Sequence, residues 1–108
     1  MKKLVLALLL CGCAKASLAA EPICSADALK QAGKLLQWHY GPDSVVTLAS
    51  QAKPLAPLSN PVNKAQKLNV LEVMGYVQKT NYRMRLIYFY SGGRCLLMGQ
   101  EILELSSL

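Results

Sequence analysis

Between Ala26 and Tyr40 apolar side chains return every three or four positions. Leu29, Ala32, Leu36 and Tyr40 share one stripe with Gly33 beside them, while Asp27, Lys30, Gln31 and Lys34 take the opposite side. This period predicts an amphipathic helix of about fifteen residues. Ser25 is placed to cap its start, Asp27 complements the positive end of its dipole, and Gly41-Pro42 terminates it. Trp38 falls among the polar positions. Its indole is therefore folded over the helix end or covered by a loop, or else it is an exposed aromatic anchor for a partner.

The pattern then changes period. Ser44 to Ser50, with Val45, Val46, Thr47 and Leu48, reads as a short strand. Gln51 to Gln66 holds Pro54, Pro57 and Pro61 with Leu55, Leu58 and Val62 between them, which predicts an extended loop of polyproline character. Three β-rich runs follow, Leu68 to Gln78, Tyr82 to Tyr90 and Arg94 to Leu105, separated by Lys79-Thr80-Asn81 and Gly92-Gly93. Together these elements predict an α+β fold: one N-terminal helix packed on a three- to four-stranded antiparallel meander.

Two-residue turns at Thr80-Asn81 and Gly92-Gly93 set an expected register. Val77 then faces Met84, Val73 faces Tyr88 and Leu71 faces Tyr90. Across the second hairpin Tyr90 meets Cys95, Tyr88 meets Leu97 and Leu86 meets Gly99. This pairing gathers Leu71, Val73, Val77, Met84, Leu86, Tyr88, Tyr90, Cys95, Leu97 and Leu103 on a core face. Gly75 and Gly99 leave a trough beside Leu86 that Leu36 or Tyr40 of the helix is expected to fill.

The opposite face should be polar if nothing packs on it. Instead it carries Met74, Tyr76, Ile87, Phe89, Leu96, Met98 and Ile102 among Glu72, Gln78, Arg83, Arg85, Arg94 and Gln100. So many apolar residues on adjacent strands call for a cover. Three covers are available: the proline-leucine segment Lys53 to Val62 folding back, a second copy making a homodimer, or a different protein partner. Trp38, Met74, Tyr76, Arg85, Ile87, Phe89, Leu96 and Met98 are the expected partner-binding residues.

Composition alters this picture mainly through the first twenty residues. The chain has 108 residues, 12 Lys and Arg, 6 Asp and Glu, and four cysteines. Lys2 and Lys3, the apolar run Leu4 to Ala14, and the small residues Ser17, Ala19 and Ala20 have the layout of a cleaved export signal, residues 1–20, followed by one small exported domain, residues 21–108. The alternative is a lipoprotein box, Leu10-Cys11-Gly12-Cys13, with a lipid anchor at Cys13 and a structural envelope role. Removal of the leader takes Lys2, Lys3 and Lys15 and leaves a net charge of +3, which argues against nucleic-acid binding. The mature chain has no stretch that approaches the roughly 20 apolar residues of a membrane span.

Of the four cysteines, Cys24 and Cys95 remain after the leader, and an oxidising compartment favours a bond between them. Closing a loop of about 70 residues is worth roughly 4 kcal/mol in the chain-entropy model. His39 is the only histidine and the mature chain has no Cys-x-x-Cys pair, so neither a metal site nor a cofactor is expected. A Ser-His-Asp or Cys-His centre has no evident members, and Glu72 and Glu101 are expected on opposite faces, unsuited to act as a carboxylate pair. The expected function is therefore non-enzymatic binding by a periplasmic or secreted accessory protein of the bacterial envelope, of the inhibitor, chaperone or assembly-factor kind. Engagement through the second face or an edge of the sheet is the expected mode.

Overall fold

The computed structural model describes residues 21–105. Residues 1–20, expected as an export leader and holding Cys11 and Cys13, lie outside the described residues. Helix α1 spans Ser25–Tyr40, and Gly41 closes it by donating its N–H to the Gln37 carbonyl at 2.6 Å. Its start differs from the expected cap. Cys24 occupies the N-cap position with φ 71° and no side-chain cap, and Ser25 is buried inside the first turn, its N–H bonded to the Pro22 carbonyl. The helix buries Ala28, Ala32, Leu35 and Leu36, with Leu29 partly covered; Tyr40 at the end of the expected stripe is 41% exposed.

Only Thr47–Leu48 of the expected Ser44–Ser50 strand pairs, as β1. The larger departure follows it: Lys53–Ser59, expected as a loop, is a strand, β2. β3 spans Lys67–Val77, β4 Thr80–Ser91 and β5 Arg94–Glu104. β1 and β2 both lie antiparallel to β3 along the edge away from β4, with Thr47 opposite Tyr76 and Lys53 opposite Glu72. Five strands thus fill four positions of one antiparallel sheet. Proline is tolerated in β2 because an edge strand has one side without a ladder, and a register shift between Leu55 and Leu58 absorbs Pro57.

The first hairpin turns at Gln78-Lys79, where Gln78 takes φ 56°, and Val77 lies opposite Thr80. Val73 therefore faces Met84, not Tyr88, and Leu71 faces Leu86, not Tyr90. The turn lies two residues earlier than expected, and an even displacement leaves every side chain on its predicted face. Thr80, a β-branched residue, joins the ladder instead of the turn.

The second hairpin keeps the expected pairs Tyr90 with Cys95 and Tyr88 with Leu97. A bulge then interrupts β5: Tyr88 faces Leu97 while Ile87 faces Gly99, so Met98 is the extra residue. One extra residue exchanges the faces of all that follows. Ile102, expected on the second face, is opposite Met84 and packs against the core, while Leu103, expected in the core, is opposite Arg83 and 49% exposed. Leu86 meets Gln100 instead of Gly99. Gln100 accordingly reaches the helix side, where Gln31 Nε2 donates to its Oε1 at 3.1 Å.

The core lies between α1 and the face bearing Leu71, Val73, Val77, Tyr82, Met84, Leu86 and Tyr88. Gly75 permits the close approach. A Cβ there would stand 2.5 Å from Leu36 Cδ1 and 2.9 Å from Met84 Cε, so Leu36 fills the expected trough, though without Gly99. Cys24 and Cys95 form a disulfide with a Cα–Cα distance of 5.9 Å, tying the start of α1 to the start of β5. Burial, and then the Asp27 carboxylate, push the Tyr88 phenol well above the usual tyrosine range. No helix among the described residues is long and apolar enough to cross a membrane.

Candidate functional site

Side chains of β3 and β4 alternate across the sheet, so α1 covers one set and the other set faces away from it. The second face is organised in rows running across the strands. Lys53, Glu72, Arg85 and Glu101 are successive partners on β2, β3, β4 and β5 and form one row. Leu55, Val70, Ile87 and Gly99 form the next, and beyond it lie the paired Leu58 and Leu68 and the paired Phe89 and Leu96. On the other side of the charged row are Met74, Arg83 and Leu103. Toward the Gly92-Gly93 turn the rows are therefore apolar, whereas on the Gln78 side of the charged row Arg83 stands between Met74 and Leu103.

This arrangement overturns one expected cover. Lys53–Ser59 widens the sheet instead of folding over it, so Leu55 and Leu58 enlarge the apolar face that this segment was one of three candidates to cover. Leu68 and Val70 are nearly buried yet stand outside the helix-side core cluster. Leu58, Leu96 and Met98 remain 48%, 46% and 52% exposed. No second layer covers this face among the described residues.

The predicted partner-binding residues do not form one surface. Ile87, Phe89 and Leu96 gather at the apolar end with Met98 in the adjoining bulge, Arg85 stands in the charged row, and Met74 and Tyr76 lie beyond that row toward the Gln78 turn. Trp38 is 82% exposed on the opposite, helical side, beside a groove lined by Gln31, Lys34, Leu35 and Gln100. Its indole neither folds over the helix end nor lies under a loop. Sequence reasoning missed Lys53, Leu55, Leu58, Leu68 and Val70. The alternation of Leu68, Val70, Glu72, Met74 and Tyr76 was a readable signal for two of them; the β2 residues carried none, because their proline spacing argues against a strand.

The charges on this face are cross-strand neighbours. Arg83 Nε lies 3.5 Å from Glu72 Oε2, and Arg85 Nη1 lies 3.7 Å from Glu101 Oε2. The half-exposed Arg85–Glu101 pair contributes at most about 1 kcal/mol, and the Arg83–Glu72 pair is more covered. Glu72 and Glu101, expected on opposite faces, share this one and flank Arg85, because the Met98 bulge turns Glu101 over. The His39 ring packs edge-on against Tyr40 and Tyr82, with centroids 5.1 and 5.9 Å apart. Cys24 and Cys95 are consumed in the disulfide. No three His, Cys, Asp or Glu side chains converge on a common point among the described residues. What the face can do chemically is bury apolar surface against a partner with its charged row in register.

No protein-family model, curated protein or solved structure gives a significant match to this chain.

Proposed function

We propose that this chain is an exported, non-enzymatic accessory protein of the bacterial envelope that engages a protein partner through the second face of its sheet. One observation carries the reading: Leu55, Leu58, Ile87, Phe89 and Leu96 lie together on a face that no described element covers, with the exposed Met98 in the bulge beside them. Apolar patches of this extent on soluble proteins mark interaction sites. The leader-like first twenty residues and the Cys24–Cys95 disulfide support export to an oxidising compartment. Anchorage through Cys13, the alternative form of export, leaves the same face available.

The test places a charge in the middle of the patch. Phe89→Glu or Met98→Glu should leave a folded, disulfide-bonded chain whose assembly, measured by native mass after isolation from the producing cells, is smaller than that of the wild type. An unfolded product from both variants would identify the face as a second core, and an unchanged assembly would remove it as the contact surface.

A further inference from the structure

We infer that the occupant of the open face is a second copy of this chain, stacked sheet on sheet about a two-fold axis parallel to the strands. The inference rests on the proposal that this face binds a protein, and it names the partner. Its basis is the order of charges in the row that crosses the sheet: Lys53, Glu72, Arg85 and Glu101 read plus, minus, plus, minus. Read in reverse, that order is its own complement.

A two-fold axis between two stacked sheets, parallel to the strands and passing between β3 and β4, exchanges the two edges but leaves height along the strands unchanged. The charged row then lies over its own reversed image. Lys53 stands over Glu101 of the second copy, Glu72 over Arg85, and the two outer and two inner contacts are all attractive. Because height is retained, the apolar rows on the Gly92-Gly93 side of the charged row also meet apolar rows, while on its other side Arg83 falls over Met74 of the second copy. Val70 falls over Ile87 of the second copy, and Leu55 over Gly99, whose missing side chain leaves room for it. An in-plane axis perpendicular to the strands fails this condition. Passing through the charged row it sets Lys53 on Lys53 and Arg85 on Arg85; passing midway to the next apolar row it sets Lys53 on Leu55, Glu72 on Val70 and Arg85 on Ile87.

Size and spacing agree with the stack. Four strand positions about 4.8 Å apart and eleven residues at about 3.3 Å give a face of roughly 700 Å² before corrugation. A standard stable interface buries about 800 Å² per partner. Stacked sheets lie about 10 Å apart, a gap that facing Arg and Glu side chains span together. Sheet twist keeps the pairs next to the axis, Glu72 and Arg85, in the best register.

The chain, produced from its full-length gene and purified, should sediment as a dimer. Carbodiimide treatment should join Lys53 to Glu101. These residues occupy opposite edges of one sheet, about 14 Å apart at three strand spacings, so that zero-length link arises only between copies. Arg85→Glu and Glu72→Arg should each weaken the dimer at least tenfold while the disulfide and circular dichroism are retained. Mixing the two variants should restore a heterodimer, because the altered rows are complementary to each other. A wild-type chain that stays monomeric at millimolar concentration overturns the inference, as does a dimer that gives neither the Lys53–Glu101 link nor recovery on mixing. If the wild type is monomeric but Phe89→Glu still shrinks the assembly isolated from cells, the partner is a different protein and the proposed function stands. The cross-link on unmodified chain decides the matter even if both charge variants misfold.

Discussion

Gly75 has the least room for a side chain of the described glycines. It sits in β3 opposite Tyr82, and the space its side chain would fill is occupied by Leu36 from the helix and Met84 from β4. Leu36 can yield only by leaving a buried rotamer, and Met84 is enclosed as well. Gly75→Val should therefore destabilise the domain by about 1–3 kcal/mol, the usual cost of overpacking, read from urea denaturation. Gly99→Ala is the matching control. A Cβ there meets Ile87 at an ordinary 3.5 Å, so little change in stability is expected. Gly75 was legible as a close-approach position because it interrupts an apolar alternation. Gly99 was read in the same way, and wrongly, because its face depends on a bulge one residue before it.

The elements themselves were legible wherever one period dominated. The helix was read to within a residue, and the three long strands emerged from alternation and turn residues. β2 was not legible, since its prolines forbid a central strand but are compatible with an edge, and only the presence of β3 beside it separates strand from loop. The prolines also leave this edge poorly suited to accept a further strand. The disulfide acts between elements. It joins α1 to β5 across 71 positions, and β5 contributes little to the helix-side core beyond Cys95 and Ile102. Replacing both cysteines by serine should cost about 2–4 kcal/mol, measured by thermal or urea unfolding, with β5 the first strand to lose amide protection in hydrogen exchange.

The molecule as described is a two-layer structure, one helix on one sheet, and that leaves half of the sheet surface without a layer of its own. Domains of this kind bury both faces or present a polar one. Here the apolar rows at the Gly92-Gly93 end and the charged row at mid-height suit the open face to a partner. Export bears on the same question, because an oxidising compartment keeps the staple closed. The intact mass of the isolated chain should correspond to a start at Ala20 or Glu21 with two hydrogens fewer than the reduced form. A diacylated species starting at Cys13 would replace soluble export with membrane anchorage, and a mass beginning at Met1 would end both forms of the proposal.

Periodicity along the chain was sufficient to determine the helix, the three long strands and the existence of an apolar second face, since each depends on neighbours a few residues apart, while the pairing of Cys24 with Cys95 followed from counting cysteines once Cys11 and Cys13 were assigned to an expected leader. Tertiary structure decided what a single residue can reverse. The Met98 bulge exchanged Ile102 with Leu103 and brought Glu101 beside Arg85, because side chains in a strand alternate and one extra residue inverts all that follow. Pairing with β3 turned a proline-rich segment into an edge strand and added Lys53 to the row. The alternating order of charge across four strands belongs to residues up to 48 positions apart in the chain, and only the register of the folded sheet sets them side by side.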